Sequence, residues 1–322
     1  MSMKVTDKTI EVLLRSITYE ADDVITLDLR PVATKVLPAF TAGAHIELQL
    51  RNGMARNYSL ANPQHERHRY CVAIQKDATG RGGSRFIHEM QRAGDILRVS
   101  PPRNNFALIE AAECSVLIAG GIGITPIWCM VQRLVELGRP WKLFYAVRSR
   151  RRAAFLDEIL TLDAALNVHL HFDDEREGAF INVDAVVQDS APGSHFYCCG
   201  PLPMLAAFEA ATVGLPAETV HVEYFVAKEP VAASGGFEVI LARSGRSVFV
   251  PHHSTILDAL VAAGIAVEHS CLEGVCGTCE TKVLEGIPDH HDMVLSAQER
   301  ASNRTMMICC SGCKTGRLVL DL

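Results

Sequence analysis

The chain has 322 residues, enough for two or three domains that each bury a core. Hydrophobic residues make up 48% and charged residues 21%, the balance of a globular protein rather than a disordered one. The formal net charge of −6 excludes the overall basic field that binds nucleic acid, although residues 1–108 carry 15 basic against 11 acidic groups and suit a phosphorylated ligand.

The N-terminal MSMKVTDKTI lacks the apolar core of a signal peptide, so a cytoplasmic location is expected. Short alternating runs follow to about Phe106. AHIELQL (Ala44–Leu50) leads into the turn signal Asn52-Gly53, RYCVAIQK is a second strand, and DILRVSPP ends in Pro101-Pro102. Many short strands separated by turns predict a small antiparallel β-barrel or sandwich over 1–108.

The period then changes. The uncharged stretch Cys114–Val131 is long enough to cross a membrane, but Gly120, Gly121, Gly123 and Pro126 interrupt it. A buried strand (SVLIA), a tight loop and a helix with Pro126 in its first turn and Gly138 past its end are expected instead, and no membrane association. WKLFYAV, LNVHLHF, HFYCC and VHVEYF predict further strands, with AAFLDEIL as a helix between the first two. Strands alternating with helices predict a doubly wound parallel sheet, an α/β domain over 109–226. AKEPVAASGG (227–236) has linker composition. In 237–322, FEVIL and SVFV flank a turn at Ser244-Gly245, and STILDALVAAG predicts a helix boxed by Thr255 and Asp258 and stopped at Gly264.

Eleven cysteines, an odd and clustered set, do not form a disulfide framework. Cys71, Cys114 and Cys129 sit in apolar runs and are expected to pack in cores. Cys271, Cys276 and Cys279 form C-x4-C-x2-C, with Gly274 and Gly277 giving a loop small enough to wrap an inorganic cluster. Structural zinc usually takes two C-x2-C pairs, and only one is present here. The spacing is that of plant-type [2Fe–2S] sites, whose fourth cysteine is distant. Between Cys279 and the candidates Cys309, Cys310 and Cys313 lie 29, 30 and 33 residues. The segment resembles a plant-type ferredoxin domain, and that resemblance implies Cys309, with Cys310 the alternative.

Two nucleotide-type signals lie upstream. In GGIGITP (Gly120–Pro126), Gly120, Gly121 and Gly123 let backbone approach a pyrophosphate at a helix N-terminus, while Pro126 stands in place of a third glycine. No acid ends the next strand; Arg148–Arg152 (RSRRR) stands there instead. CCGPLPML sets Cys199, Gly200 and Pro201 at another strand's end. In the first segment, RNYSLAN offers Arg56, Asn57, Tyr58 and Ser59, and GRGGSRF offers Arg81, Gly82, Gly83 and Ser84.

Taken together, R-x-Y-S, G-R-G-G-S, G-G-I-G-I-T-P, C-G-P and E-Y-F resemble the ferredoxin–NADP reductase superfamily in order and spacing. With the ferredoxin segment, the whole chain resembles the phthalate dioxygenase reductase and vanillate demethylase reductase family. The resemblance implies FMN held by Arg56, Tyr58, Ser59 and Ile74, Gln75 and Lys76, with its phosphate on Gly82, Gly83 and Ser84. It implies a nicotinamide nucleotide on Gly120–Pro126 and Cys199–Pro201, Thr125 at the flavin–nicotinamide junction, and Phe225 against the flavin ring. NADH is the implied donor; an arginine in Arg148–Arg152 accommodating a 2′-phosphate would favour NADPH. The implied partner is a separate Rieske-type oxygenase, fed from NADH through FMN and [2Fe–2S]. The flavin is needed because a hydride cannot pass directly to a one-electron cluster. A P450 acceptor and a redox-sensing regulatory subunit are the alternative roles. Seven acidic residues between Ala266 and Arg300 (Glu268, Glu273, Glu280, Glu285, Asp289, Asp292, Glu299) suggest an acidic docking face.

Overall fold

The computed structural model describes residues 9–78, 80–162, 167–226 and 235–322. They divide between two compact units, Lys8–Glu223 and one whose described part lies within Tyr224–Leu322. Most of the segment expected to be a linker, 227–234, lies outside the described residues.

The first unit begins with six antiparallel strands, β1 (Ile10–Ala21), β2 (Val24–Pro31), β3 (His45–Gln49), β4 (Ala55–Ser59), β5 (Tyr70–Gln75) and β6 (Ile96–Val99), in the order β4-β3-β6-β1-β2-β5. The ends of this sheet meet. Leu60 bridges Val72 and the Ala61 N–H donates to the Cys71 carbonyl at 2.9 Å, so the expected barrel closes and exposes no long edge there. Alternation fills its interior: Val12, Leu14, Leu27, Leu29, Ile46, Leu48 and Val72 are each fully buried. Irregularities between Leu14 and Ser16 and between Tyr19 and Ala21 bend the long β1. The sequence did not foretell helix α1 (Gly83–Met90), which opens where Gly82 turns the chain at φ 84°.

The second half of this unit is a parallel sheet. It comprises β7 (Ser115–Gly120), β8 (Trp141–Val147), β9 (Val168–Phe172), β10 (His195–Cys199) and β11 (Val220–Glu223), ordered β11-β10-β7-β8-β9. Helices α2 (Ile124–Leu137), α3 (Leu156–Thr161), α4 (Val183–Gln188) and α5 (Leu202–Ala211) connect the strands. The chain winds outward from β7 through β8 to β9, then returns to lay β10 and β11 on β7's other side. The gap between β7 and β10 is therefore the switch point at which such sheets bind ligands.

The stretch tested as a membrane span is β7, a 3-10 turn over Gly121–Gly123, and α2. No helix among the described residues is long and apolar enough to cross a membrane. Gly138 ends α2 at φ 63° as expected. Helix α2 is fastened to the barrel: Gln132 Nε2 donates to Ala61 O at 2.8 Å and Cys129 Sγ to Asn62 O at 3.2 Å. Cys71 and Cys129 are core thiols, pushed up to about 12 by burial, whereas Cys114 is only partly buried. Helix α3 starts later than AAFLDEIL suggests, because Phe155 takes φ 57° to stack 6.2 Å from Trp128.

The second unit contains β12 (Phe237–Leu241), β13 (Ser247–Val250), α6 (Ile256–Ala262), β14 (Glu280–Glu285), β15 (Pro288–Asp289), α7 (Ala297–Ser302), β16 (Thr305–Met307), β17 (Gly312–Cys313) and β18 (Arg317–Leu320). Its main sheet runs β13-β12-β18-β14-β16, with β12 and β18 parallel and the other pairs antiparallel. Thr255 and Asp258 form the expected capping box of α6, whose Ile256, Leu257 and Leu260 are buried in the core. The α+β architecture expected for 237–322 is the one found.

Candidate functional site

Within Lys8–Glu223 the two motifs read as flavin-binding come together. Arg56, on β4, reaches α1: its Nη2 donates to the Arg81 carbonyl at 3.3 Å, and a Cβ at Gly83 would stand 2.7 Å from its Nε. Helix α1 begins with no side-chain cap and no acid in its first turn, so its N-terminal N–H groups are left for an acceptor. Ser84 Oγ accepts from the Asp77 N–H at 3.0 Å, and His88 Nε2 lies 2.9 Å from Ile74 O, which ties α1 to the end of β5. Lys76 is ion-paired to Glu89 at 2.9 Å. Tyr58 lies on β4 opposite Ile46, where burial raises its phenol well above the usual range and keeps it protonated. Asn57, also on β4, pairs in register with Glu47 of β3.

At the switch point the glycines serve close packing. A Cβ on Gly123 would collide with the Cys199 carbonyl, and one on Gly120 would come within 2.6 Å of Pro201 Cδ and 2.8 Å of Met204 Sδ. Gly200 is equally crowded by Met204 and Gly120. Gly121 is different: at φ 52° its Cβ would meet only open space. The G-G-I-G and C-G-P loops thus lock together and leave one glycine facing outward. The turn over Gly121–Gly123 also lies against β5 of the barrel. Thr125 is buried, and its hydroxyl donates to Ile122 O at 3.0 Å, with Pro126 next to it in the first turn of α2.

A residue absent from the sequence-derived site completes this corner. Glu223 ends β11 in register with Cys199. Its Oε2 lies 3.5 Å from Ser59 Oγ and 3.9 Å from Cys199 Sγ. These long contacts do not replace lost water, so burial pushes the carboxyl up to about 8, although the residue as a whole keeps some exposure. Burial and the neighbouring Glu223 raise the Cys199 thiol well above its usual range. At neutral pH the corner is an uncharged set of hydroxyl, thiol and carboxylic acid. Phe225, expected against a flavin ring, belongs to the other unit and is exposed.

In Tyr224–Leu322, Cys271, Cys276, Cys279 and Cys309 are all buried and lie within reach of one another. Cys271 hydrogen-bonds with Cys276 and Cys309, and Cys279 with Cys309. Cys271 is held well below the usual thiol range by those partners and by the N–H groups of Glu273 and Val275, while Cys276 and Cys309 are pushed up by their thiol neighbours. The four sulfurs converge in one buried group, Cys271 touching Cys276 and Cys309 and Cys309 touching Cys279, and four cysteine sulfurs are the donor set that a [2Fe–2S] cluster takes. Among the described residues, no group of three or more His, Cys, Asp or Glu is arranged to hold a single metal ion. The loop is shaped for this by Gly274 and Gly277 at φ 70° and 75°. A Cβ on Gly274 would strike Cys310 Sγ. Cys310 therefore packs behind the loop, and Cys313 lies on β17, 3.6 Å from Thr315 Oγ1.

The acidic face is smaller than the composition suggests. Asp292 is fully buried and accepts from the Val294 and Leu295 N–H groups at 3.1 and 2.7 Å. Glu285 pairs with Arg317, Asp289 with His291 and Lys314, and Glu299 caps α7.

Residues 239–314 match the 2Fe-2S iron-sulfur cluster binding domain and residues 117–210 the oxidoreductase NAD-binding domain. Over its full length the chain is 54% identical to phenoxybenzoate dioxygenase subunit beta of Ectopseudomonas oleovorans, covering all of that protein. It is 51% identical to tetrachlorobenzoquinone reductase of Sphingobium chlorophenolicum over 98% of each chain. Among solved structures, phthalate dioxygenase reductase, described as passing electrons from pyridine nucleotides to [2Fe-2S], matches with a TM-score of 0.73 and 36% identity over 98% of each chain. An intact type IV self-sufficient cytochrome P450 monooxygenase matches all of this chain with a TM-score of 0.90 and 37% identity, the chain spanning 43% of its length. The chain is an iron–sulfur oxidoreductase of the phthalate dioxygenase reductase family.

Proposed function

We propose that the chain is the reductase component of a two-component, Rieske-type aromatic-ring or demethylating oxygenase. It would be built as a flavin module (1–108), a nucleotide module (109–226), a linker (227–236) and a ferredoxin module (237–322). The single observation that carries this reading is the presence, in one chain, of a nucleotide corner at the β7–β10 switch point and a four-thiol cluster site. A sensor needs one redox centre; a relay needs both. When bound, FMN converts the two-electron hydride of NADH into the single electrons that a [2Fe–2S] cluster passes on.

The chain's own residues bind and orient. Arg56, Arg81 and the start of α1 (Gly82, Gly83, Ser84) would hold the flavin phosphate, with Tyr58, Ser59 and the strand Ile74–Lys76 along the ring system. Gly120–Pro126 and Cys199–Pro201 would seat the nicotinamide nucleotide, and Cys271, Cys276, Cys279 and Cys309 the cluster. Glu223, neutral below about pH 8, lets a dihydronicotinamide approach Ser59 and Cys199 without meeting a fixed negative charge. The relative named tetrachlorobenzoquinone reductase favours a second acceptor class, a quinone.

Rapid mixing with NADH across pH tests the reading. Flavin reduction should slow as pH rises through about 8, where Glu223 ionises, and Glu223→Gln should flatten that profile. The same carboxyl, raised from 4.5 in the native state, holds a proton that the unfolded chain releases. Its contribution to stability must therefore fall as pH rises from about 4.5 towards 8. An unchanged inflection in Glu223→Gln would remove Glu223 from the corner, and a flavin that NADH does not reduce would sink the function.

A further inference from the structure

The run Arg148–Arg152 stands just past β8, at the strand end where an arginine can receive the 2′-phosphate of NADPH. Its charges are largely taken up. Arg150 makes a two-point pair with Glu175, Nε at 2.6 Å and Nη2 at 3.3 Å, and its guanidinium lies over the Phe172 ring with Cζ 4.4 Å from the centroid. Arg151 pairs with Asp22 at 3.1 Å and Arg152 with Asp23 at 3.0 Å, both carboxylates on the β1–β2 turn. Arg148 makes no ion pair among the described residues, but its carbonyl accepts the Asp174 N–H at 3.1 Å. That bond joins it to a loop carrying Asp173, Asp174, Glu175 and Glu177 against Arg176 alone.

From this geometry, which rests on the nucleotide lying across the β7–β10 edge, we infer that the Arg150–Glu175 pair is the element that sets the choice between the two nicotinamide nucleotides. With Glu175 in place, Arg150 is occupied in a planar, two-point contact that a single phosphate would have to break, and the surrounding loop is acidic. A ribose bearing a free 2′-hydroxyl meets no such obstacle. Removing the charge of Glu175 leaves Arg150 seated on Phe172 and open to a phosphate. Glu175 acts through Arg150 and is a positioning residue.

The test compares the full holoenzyme with Glu175→Gln and with the double variant Arg150→Gln/Glu175→Gln. For each, kcat/KM is measured with NADH and NADPH, and dissociation constants are measured with NAD+ and NADP+. The wild type should favour NADH. Glu175→Gln should raise kcat/KM for NADPH and tighten NADP+ about tenfold, the worth of one exposed charge-assisted hydrogen bond. NADH should stay within about twofold, as expected for loss of a surface pair. The double variant should lose the gain. A single variant with an unchanged NADPH-to-NADH ratio, or a double variant that keeps the gain, would overturn the assignment while leaving the reductase reading intact. A wild type that neither nucleotide reduces would overturn both.

Discussion

Cys309→Ser should yield a chain without iron–sulfur absorbance or bound iron, in which reduction of one-electron protein acceptors falls by about a hundredfold or more. Cys309 touches both Cys271 and Cys279, so its loss removes two of the contacts that hold the four sulfurs together. A serine hydroxyl does not give up its proton as a thiol does, and cluster binding requires deprotonated ligands. The loss is confined to one unit. NADH-driven reduction of small dyes depends on Lys8–Glu223 and should stay within about twofold, as distant sites act independently. Cys310→Ser and Cys313→Ser should keep their iron, Cys310 because its sulfur packs against Gly274 and Cys313 because it lies on β17 beside Thr315. Iron and sulfide analysis beside the visible spectrum decides it. Iron retained in Cys309→Ser and lost in Cys310→Ser would reassign the fourth ligand.

The second large effect is expected at Gly123. Its φ of −60° suits any residue, so backbone conformation is not the obstacle. A methyl group there would press on the Cys199 carbonyl and stand 2.8 Å from Gly200 N, and backbone cannot rotate away as a side chain can. Overpacking of this kind costs about 1–3 kcal/mol and displaces the elements it separates. Those elements are the two loops of the switch point. Gly123→Ala should therefore lower the melting temperature and cut kcat/KM for NADH by at least about tenfold, with flavin content unchanged. Gly121→Ala is the internal comparison. Its Cβ meets nothing, and the φ of 52° costs only about 1–2 kcal/mol. It should lose stability without separating the loops. Equal NADH kinetics in Gly123→Ala and wild type would show that the locked loops do not form the nucleotide corner.

The central strands of the parallel sheet, β7, β8 and β10, were legible because most of their side chains are buried. SVLIA, WKLFYAV and HFYCC read as continuous apolar runs and became β7, β8 and β10. Turn and cap chemistry was equally local: Gly138 at the end of α2, and Thr255 with Asp258 on α6. Helix α1 was not legible, because GRGGSRF carries no long apolar period and the helix follows from one left-handed glycine. Glu223 was hidden for another reason. In VHVEYF it is an ordinary strand-end acid, and its register opposite Cys199 on the parallel neighbour β10 places it beside Ser59 from the barrel. The only available signal was the E-Y-F tripeptide in the family resemblance. The acidic face was overcounted for a similar reason: composition counts Asp292 as surface charge, while the fold uses it to hold the Val294 and Leu295 N–H groups.

An oxygen-free titration with NADH, followed across the visible spectrum, shows whether one chain carries electrons from a nicotinamide nucleotide to an iron–sulfur cluster. The relay predicts that flavin and iron–sulfur absorbance bleach together, in proportion, from the first additions of NADH and without any other protein present. Bleaching of the flavin alone, with the cluster still oxidised at excess NADH, would contradict it.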